Sequence, residues 1–201
     1  MPVTLPIVQV IIASTRPGRV GPAVAAWAAA KAEALGSFQV EVVDLADAGL
    51  PMLDEPNNPR ARTYTRPHTH AFSDVIDRAD GYIIVMPEYN HGYNAELKNA
   101  IDYLYHEWTN KPVGLVTYGG IAGGARAAQA IKPVLAAVKL IALPDDVPIP
   151  LVSSFIHDDG QERTFVPNAA IDGGMDHLLG SLETWVSIFR DASSLQAANA
   201  S

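Results

Sequence analysis

Alternating strands and helices predict an α/β fold, a parallel sheet with helices on both faces. Short apolar runs rich in β-branched residues recur along the chain, among them IVQVIIA (7–13), GYIIVM (81–86) and KPVGLVTY (111–118). Between them lie longer segments whose apolar residues repeat at helical spacing. The two kinds alternate about five times, as strands joined by crossover helices do.

The first run is nearly continuous in apolar residues, as expected of a strand buried on both faces. A helix follows in which Val24, Trp27, Ala28 and Leu35 share one face. Gly21 and Pro22 suit its start, because proline is tolerated where the N–H has no intrahelical partner. FQVEVVDL (38–45) reads as the second strand. PMLDEPNNPRARTYTRPHTH (51–70) is too rich in Pro, Asn and Arg for a core element and is expected to be a long surface excursion. A short helix over 71–79 leads to the third strand.

Leu97, Ala100, Ile101, Leu104, Tyr105 and Trp108 then mark an amphipathic helix. The fourth strand precedes a glycine loop, GGIAGGAR (119–126), and a helix over 125–139 that Pro133 should kink. A strand is expected within LIALPDDVPIPLV (140–152), and SSFIHDDGQERTFVPN (153–168) reads as loop. A last helix from about Ala170 carries Ile171, Met175, Leu178, Leu182, Trp185 and Phe189 as its stripe. Trp27 and Trp185 both fall on apolar stripes and are expected in the core. Residues 1–192 form one domain in this reading, and the tail 193–201 has nothing to bury and frays.

Composition narrows the function. The 201 residues, 48% of them hydrophobic, suffice for one sizeable core. A formal charge of −8 argues against nucleic acid or an anionic membrane as partner, since phosphate surfaces demand clustered cations. It leaves room for a local phosphate site. The absence of cysteine excludes disulfides, thiolate metal sites, iron–sulfur clusters and thiol catalysis. LPIVQVIIAS (5–14) lacks the basic flank of a signal peptide, and no apolar run approaches the ~20 residues that span a bilayer. A soluble, cytoplasmic protein is the expectation.

In open parallel sheets, ligands bind beyond the carboxyl ends of the strands. Three unusual loops each follow a strand and should converge there. The first, STRPGRVG (14–21), offers hydroxyls at Ser14 and Thr15, permanent cations at Arg16 and Arg19, and the free N–H groups opening the next helix. It is either a phosphate cradle or a hydrophilic turn with two solvated arginines. It is neither a Walker sequence nor GxGxxG, so a single terminal phosphate suits it better than a pyrophosphate.

The second loop, PEYNHGYN (87–94), offers flat faces at Tyr89 and His91, amide donors around Asn90, a close-approach glycine at Gly92, and Asn94 as an N-cap. These suit a planar heterocycle with acceptors on its edge. Alternatively its tyrosines pack ordinarily and Glu88 caps a neighbouring element. The third loop, TYGGIAGGAR (117–126), has two glycine pairs whose amides can face a ligand, or which serve only tight strand-to-helix packing.

Other constellations are weaker. His68 and His70 sit in a polar segment with no partnered carboxylate pattern and read as surface histidines, so no metal site is expected. No GxSxG elbow marks a hydrolase. Asp145, Asp146, Asp158 and Asp159 read as turn residues.

Together the three loops resemble the NADPH-dependent FMN reductase family, the flavodoxin-like group that includes quinone, azo-dye and chromate reductases. STRPGR, MPEYNHGYNAELKNAIDYLYHEWTNKPV and VTYGGIAGGARA carry the resemblance, with VVDLADAGLPMLDEP as a weaker match. They span much of Ile7 to Leu143, in the family's order. The resemblance implies a five-stranded parallel sheet of order 2-1-3-4-5. It implies that Ser14, Arg16 and Arg19, with amides near Val20 and Gly21, would hold an FMN phosphate. Pro87, Glu88, Tyr89, Asn90 and His91 would line the flavin, mostly through backbone, with Tyr118, Gly119 and Gly120 along its other edge. No side chain need be catalytic, because FMN carries the chemistry, with NADPH or NADH as electron donor and a small molecule such as a quinone as acceptor. Family members form homodimers or homotetramers. Ala13 stands where many relatives have Gly, Asn94 where they often have Pro, and no match extends past Leu143. A flavin reductase using FMN as a passing substrate, or a flavodoxin-type electron carrier, are the alternatives.

Overall fold

The computed structural model describes residues 4–200, with side chains described to Ala192. The first three parallel strands are β1 (Ile7–Ile12), β2 (Gln39–Asp44) and β3 (Gly81–Pro87). With β4 (Pro112–Tyr118) and β5 (Ile141–Ala142) they form a sheet of order β2-β1-β3-β4-β5, as expected. A further strand, β6 (Val147–Ile149), also pairs with β4, in register Val116 to Val147 through Tyr118 to Ile149. Every residue of β3 and β4 is buried, which is why these strands read as continuous apolar runs.

The sheet separates two cores. On one face, α1 (Gly21–Leu35) and α6 (Ala169–Ala200) cover Val8, Val10, Ile12, Ile83, Val85 and Val116. On the other, α3 (Pro67–Asp77), α4 (Ala95–Tyr103) and α5 (Ala125–Ala137) cover Ile11, Ile84, Met86 and Leu115. A single turn, α2 (Leu45–Ala48), follows β2. Among the described residues no helix is long and apolar enough to cross a membrane.

Several elements depart from the sequence expectation. Helix α4 stops at Tyr103, and Leu104 is extended (φ −129°, ψ 162°). Leu104 and Trp108 remain buried from the turn beyond, Trp108 meeting Tyr82 edge-on at 5.1 Å, so the apolar stripe outlasts the helix. Helix α3 begins at Pro67 rather than residue 71, because Pro67 suits its first turn and Glu55 accepts the preceding Thr65 and Arg66 N–H groups. His68 and His70 therefore lie on a helix. His68 does have a carboxylate partner, Asp54, at 2.9 Å. The excursion is tied to the body: Asn99 and Tyr103 both donate to the Pro51 carbonyl, at 2.7 and 3.1 Å.

Pro133 does not interrupt α5. The carbonyl it deprives of a donor belongs to Gln129, an exposed residue. Residues 140–152 make two short strands instead of one, broken by Pro144 and bounded by Pro150. The segment expected to be loop holds a short 3-10 turn (Val152–Phe155) and an antiparallel hairpin, β7 (Ile156–Asp158) with β8 (Arg163–Phe165). Phe165 gives the hairpin its anchor, packing edge-on against Trp27 at 5.1 Å. Asp159 closes its turn by accepting from the Gln161 and Glu162 N–H groups.

Trp27 is half-buried, its indole N–H donating to Asp172 at 3.2 Å, and Leu35 is exposed. Trp185 is not a core residue: it is 37% exposed and stacks on Phe189 at 5.9 Å. Helix α6 runs to Ala200, through the segment expected to fray. Ser201 lies outside the described residues.

Candidate functional site

The three loops meet at the carboxyl end of the sheet, because β1, β3 and β4 are parallel neighbours. Ser14, the residue after Ala13 at the end of β1, is fully buried, and its Oγ accepts from the Tyr118 hydroxyl at 3.0 Å. Burial pushes the Tyr118 phenol up to about 12, so it donates across the whole neutral range. This bond joins the first loop to the third.

Between Ser14 and α1 the chain turns sharply, Arg19 N–H donating to the Arg16 carbonyl at 3.1 Å. Helix α1 starts at Gly21 with Val20 as its cap residue, and Val20 provides no side-chain cap. The N–H groups of this first turn have no intrahelical acceptor and carry the positive end of the helix dipole. Only glycine fits at position 21: a Cβ there would overlap Ser14 Oγ and stand 2.8 Å from the Tyr118 hydroxyl.

The two arginines that the sequence groups together are separated in space. Arg16 is exposed, with its guanidinium carbon 5.8 Å from the Tyr89 ring centroid. Arg19 is committed elsewhere. Its two terminal nitrogens reach the two Asp44 oxygens at 2.6 and 2.5 Å, and it donates to the Ser14 carbonyl as well. Arg19 thus ties the loop to the end of β2, and Arg16 is the cation that faces outward.

In the second loop, Pro87 pairs with Tyr118, and the Glu88 N–H donates to the Tyr118 carbonyl at 2.9 Å. Tyr89 and Gly92 exchange both backbone hydrogen bonds at 3.0 Å, with Asn90 at φ 49° and His91 at φ 70°. Two successive left-handed residues make a type I′ turn, and Asn and His are among the side chains that tolerate the conformation best. Its two tip residues are exposed.

Asn94 occupies the N-cap position of α4 but does not cap it. Its amide donates to the Ala13 carbonyl at 2.7 Å and to Glu96 Oε2 at 2.9 Å, while Thr15 donates to Glu96 Oε1 at 3.2 Å. The second loop is therefore sewn to the end of β1. Asn94 Oδ1 is buried and has no hydrogen-bond partner among the described residues.

The third loop opens with Gly119 and Gly120. A Cβ at Gly120 meets nothing within 4 Å, so this edge is open, whereas one at Gly119 would touch Glu88 Cβ at 3.4 Å. The glycines that the backbone requires are the second pair. Gly123 and Gly124 hold φ 59° and 87°, and the Gly123 carbonyl accepts from Thr117 Oγ1 at 2.9 Å. The loop is also bound to β6 and the residues after it, through Ile149 N–H to Gly123 and Leu151 N–H to Gly120 at 3.2 and 2.9 Å.

The site thus offers an exposed Arg16 guanidinium on the first loop and the N-terminus of α1, which packs on the buried Ser14–Tyr118 pair. The Tyr89–Gly92 turn and an open glycine edge lie at the same end of the sheet. This donor set fits FMN: the first loop and the α1 N–H groups suit a terminal phosphate, and the turn and glycine edge suit the edge of a planar ring. Asp44, Glu96 and Arg126 complete the site through contacts distant in sequence, to Arg19, Thr15 and Glu88 respectively, and sequence reasoning gives none of the three a role there.

Comparison with known proteins agrees in kind. The family model described as NADPH-dependent FMN reductase matches residues 6–152, past the Leu143 limit of the sequence resemblance. An NAD(P)H-dependent FMN reductase of Schizosaccharomyces pombe is 43% identical over 141 residues, 69% of this chain and 70% of that protein. A quinone reductase of Escherichia coli is 36% identical over 118 residues, 56% of this chain and 60% of that one. Among solved structures, a flavoenzyme NAD(P)H:(acceptor) oxidoreductase from Paracoccus denitrificans superposes with a TM-score of 0.68 at 20% identity, covering 92% of this chain and 99% of that chain.

Proposed function

The chain belongs to the NADPH-dependent FMN reductase family, and we propose that its three converging loops hold the FMN of an NAD(P)H oxidoreductase. When bound, FMN supplies the hydride acceptance and donation. The residues position it and leave its working edge accessible.

In this reading Arg16 and the N–H groups at Val20 and Gly21 bind the phosphate. Ser14 lines the inner wall, held by the Tyr118 hydroxyl. Arg19 shapes the loop through Asp44 instead of touching the phosphate. The backbone from Pro87 to His91 and the Gly119–Gly120 edge flank the ring. Quinones or similar small acceptors, or free flavin, take the electrons, and NADPH or NADH provides them.

The observation that carries the proposal is the convergence of the first loop with its exposed Arg16, the N-terminus of α1 and an open glycine edge around the buried Ser14–Tyr118 bond. Titration of the protein into FMN, followed by flavin fluorescence, tests the binding. NADPH oxidation with and without a benzoquinone then tests the reaction. Retention of FMN through dialysis distinguishes a bound cofactor from a passing substrate.

A further inference from the structure

Helix α5 begins at a residue that cannot cap it. Gly124, its N-cap, holds φ 87°, and a Cβ there would lie 2.6 Å from Thr117 Cβ and 2.8 Å from Tyr118 N. The usual capping residues Ser, Thr, Asp and Asn are therefore excluded from that position. The Ala125 N–H is taken by the Ala122 carbonyl at 3.0 Å, but the next N–H group, that of Arg126, still needs an acceptor.

Glu88 supplies it from the neighbouring loop. Its Oε2 accepts from the Arg126 backbone N–H at 3.2 Å. Its Oε1 accepts from Arg126 Nε at 2.6 Å, and Arg126 Nη2 closes the ion pair. The Glu88 side chain is only 6% exposed, although that of Arg126 is 49% exposed. The carboxylate is thus turned into the start of α5, away from the tip of its own loop. At the same residue the backbone N–H binds the Tyr118 carbonyl, and Gly119 packs close to Glu88 Cβ. One residue fixes two backbones. The hydrogen bond from Arg126 lowers the Glu88 pKa, so the clasp stays ionised at neutral pH.

We infer that Glu88 is a positioning residue whose carboxylate caps α5 in trans and so sets the spacing between the Tyr89–Gly92 turn and the Gly119–Gly120 edge. Its effect on flavin rests on the reading that these two segments flank the ring.

The test uses Glu88→Ala and the isosteric, uncharged Glu88→Gln in the full chain. Two quantities are read: the FMN dissociation constant by fluorescence quenching, and amide hydrogen exchange of the flavin-free protein. Glu88→Ala should weaken FMN by about tenfold or more and speed exchange across 119–127, as loss of a charged cap implies. Glu88→Gln should do both to a smaller extent. A folded Glu88→Ala protein that binds FMN within twofold of wild type, or exchanges these amides at the wild-type rate, overturns the inference. If Glu88→Ala does not fold, the same two outcomes for Glu88→Gln decide. Wild-type protein that fails to bind FMN would instead refute the proposed function, and the exchange measurement would still judge the cap.

Discussion

Gly21→Ala sets two physical effects of opposite sign against each other. Gly21 is the first residue of α1, and its backbone is not left-handed, so alanine is conformationally allowed there. Helix propensity alone would favour alanine by about 0.5–1 kcal/mol. Packing opposes it. The new Cβ would overlap Ser14 Oγ, and would stand 2.8 Å from the Tyr118 hydroxyl and 3.3 Å from Ile12 Cγ2. None of these neighbours can retreat easily: Ser14 is 0% exposed, and Tyr118 and Ile12 are each 5% exposed. Overpacking of this kind costs about 1–3 kcal/mol, and displacement of Ser14 also forfeits the Tyr118 hydrogen bond, about 0.5–1.5 kcal/mol. Packing wins, with a net loss of about 0.5–4 kcal/mol, or roughly 1–16 °C in melting temperature for a chain of this size. Because the first turn of α1 must shift, FMN affinity should fall as well. Gly173→Ala is the control, since a Cβ there meets nothing within 4 Å, and it should hold or raise stability. Thermal melts of both flavin-free variants, with an FMN titration, provide the assay. A Gly21→Ala protein as stable as wild type would refute the packing of α1 against the Ser14–Tyr118 pair.

Arg16→Ala should weaken FMN binding by about 1.5–3 kcal/mol, the loss of a charge-assisted hydrogen bond, while leaving the melting temperature nearly unchanged. Arg19→Ala should behave in the opposite sense, costing about 1–3 kcal/mol of stability by freeing Asp44, with urea unfolding as the readout. Gly120→Ala should leave stability within about 0.5 kcal/mol, since the added Cβ meets no protein atom, yet weaken FMN in the fluorescence titration. Burial pushes Glu55 up, but the Thr69 hydroxyl, the N–H groups of Arg66 and Thr65 and the Thr65 hydroxyl together outweigh it and bring the carboxyl down to about 2. A carboxylate depressed in the folded state stabilises above its unfolded value near 4.5 and loses that contribution as pH falls toward 2. Glu55→Gln should therefore flatten the loss of stability over this window, measured by denaturant melts at stepped pH.

The sheet order and the meeting of the three loops were legible because both follow from local signals. Buried strands announce themselves as apolar runs, and parallel connectivity places every βα loop at one end. The end of α4 was not legible. Leu104 and Trp108 keep the helical apolar spacing while the backbone has already left the helix, and periodicity records burial, not hydrogen bonding. The hairpin at 156–165 was hidden for a related reason. It consists of two three-residue strands around a polar turn, and what holds it is Phe165 against Trp27, a contact across most of the chain. Within the site, Arg16 and Arg19 look equivalent in sequence, and only the position of Asp44 at the end of the adjacent strand assigns them different work. Glu88 shows the converse: both sequence alternatives, ring-flanking backbone and helix-capping side chain, fit one residue, because its two halves face different elements.

The most direct measurement is the visible absorbance spectrum of the protein after FMN is added and the excess removed, followed by anaerobic addition of NADPH. If the three loops hold FMN, a flavin band persists through the separation and is bleached by NADPH, and Arg16→Ala loses it more readily. A colourless protein that also fails to quench FMN fluorescence would contradict the assignment of these loops to the flavin.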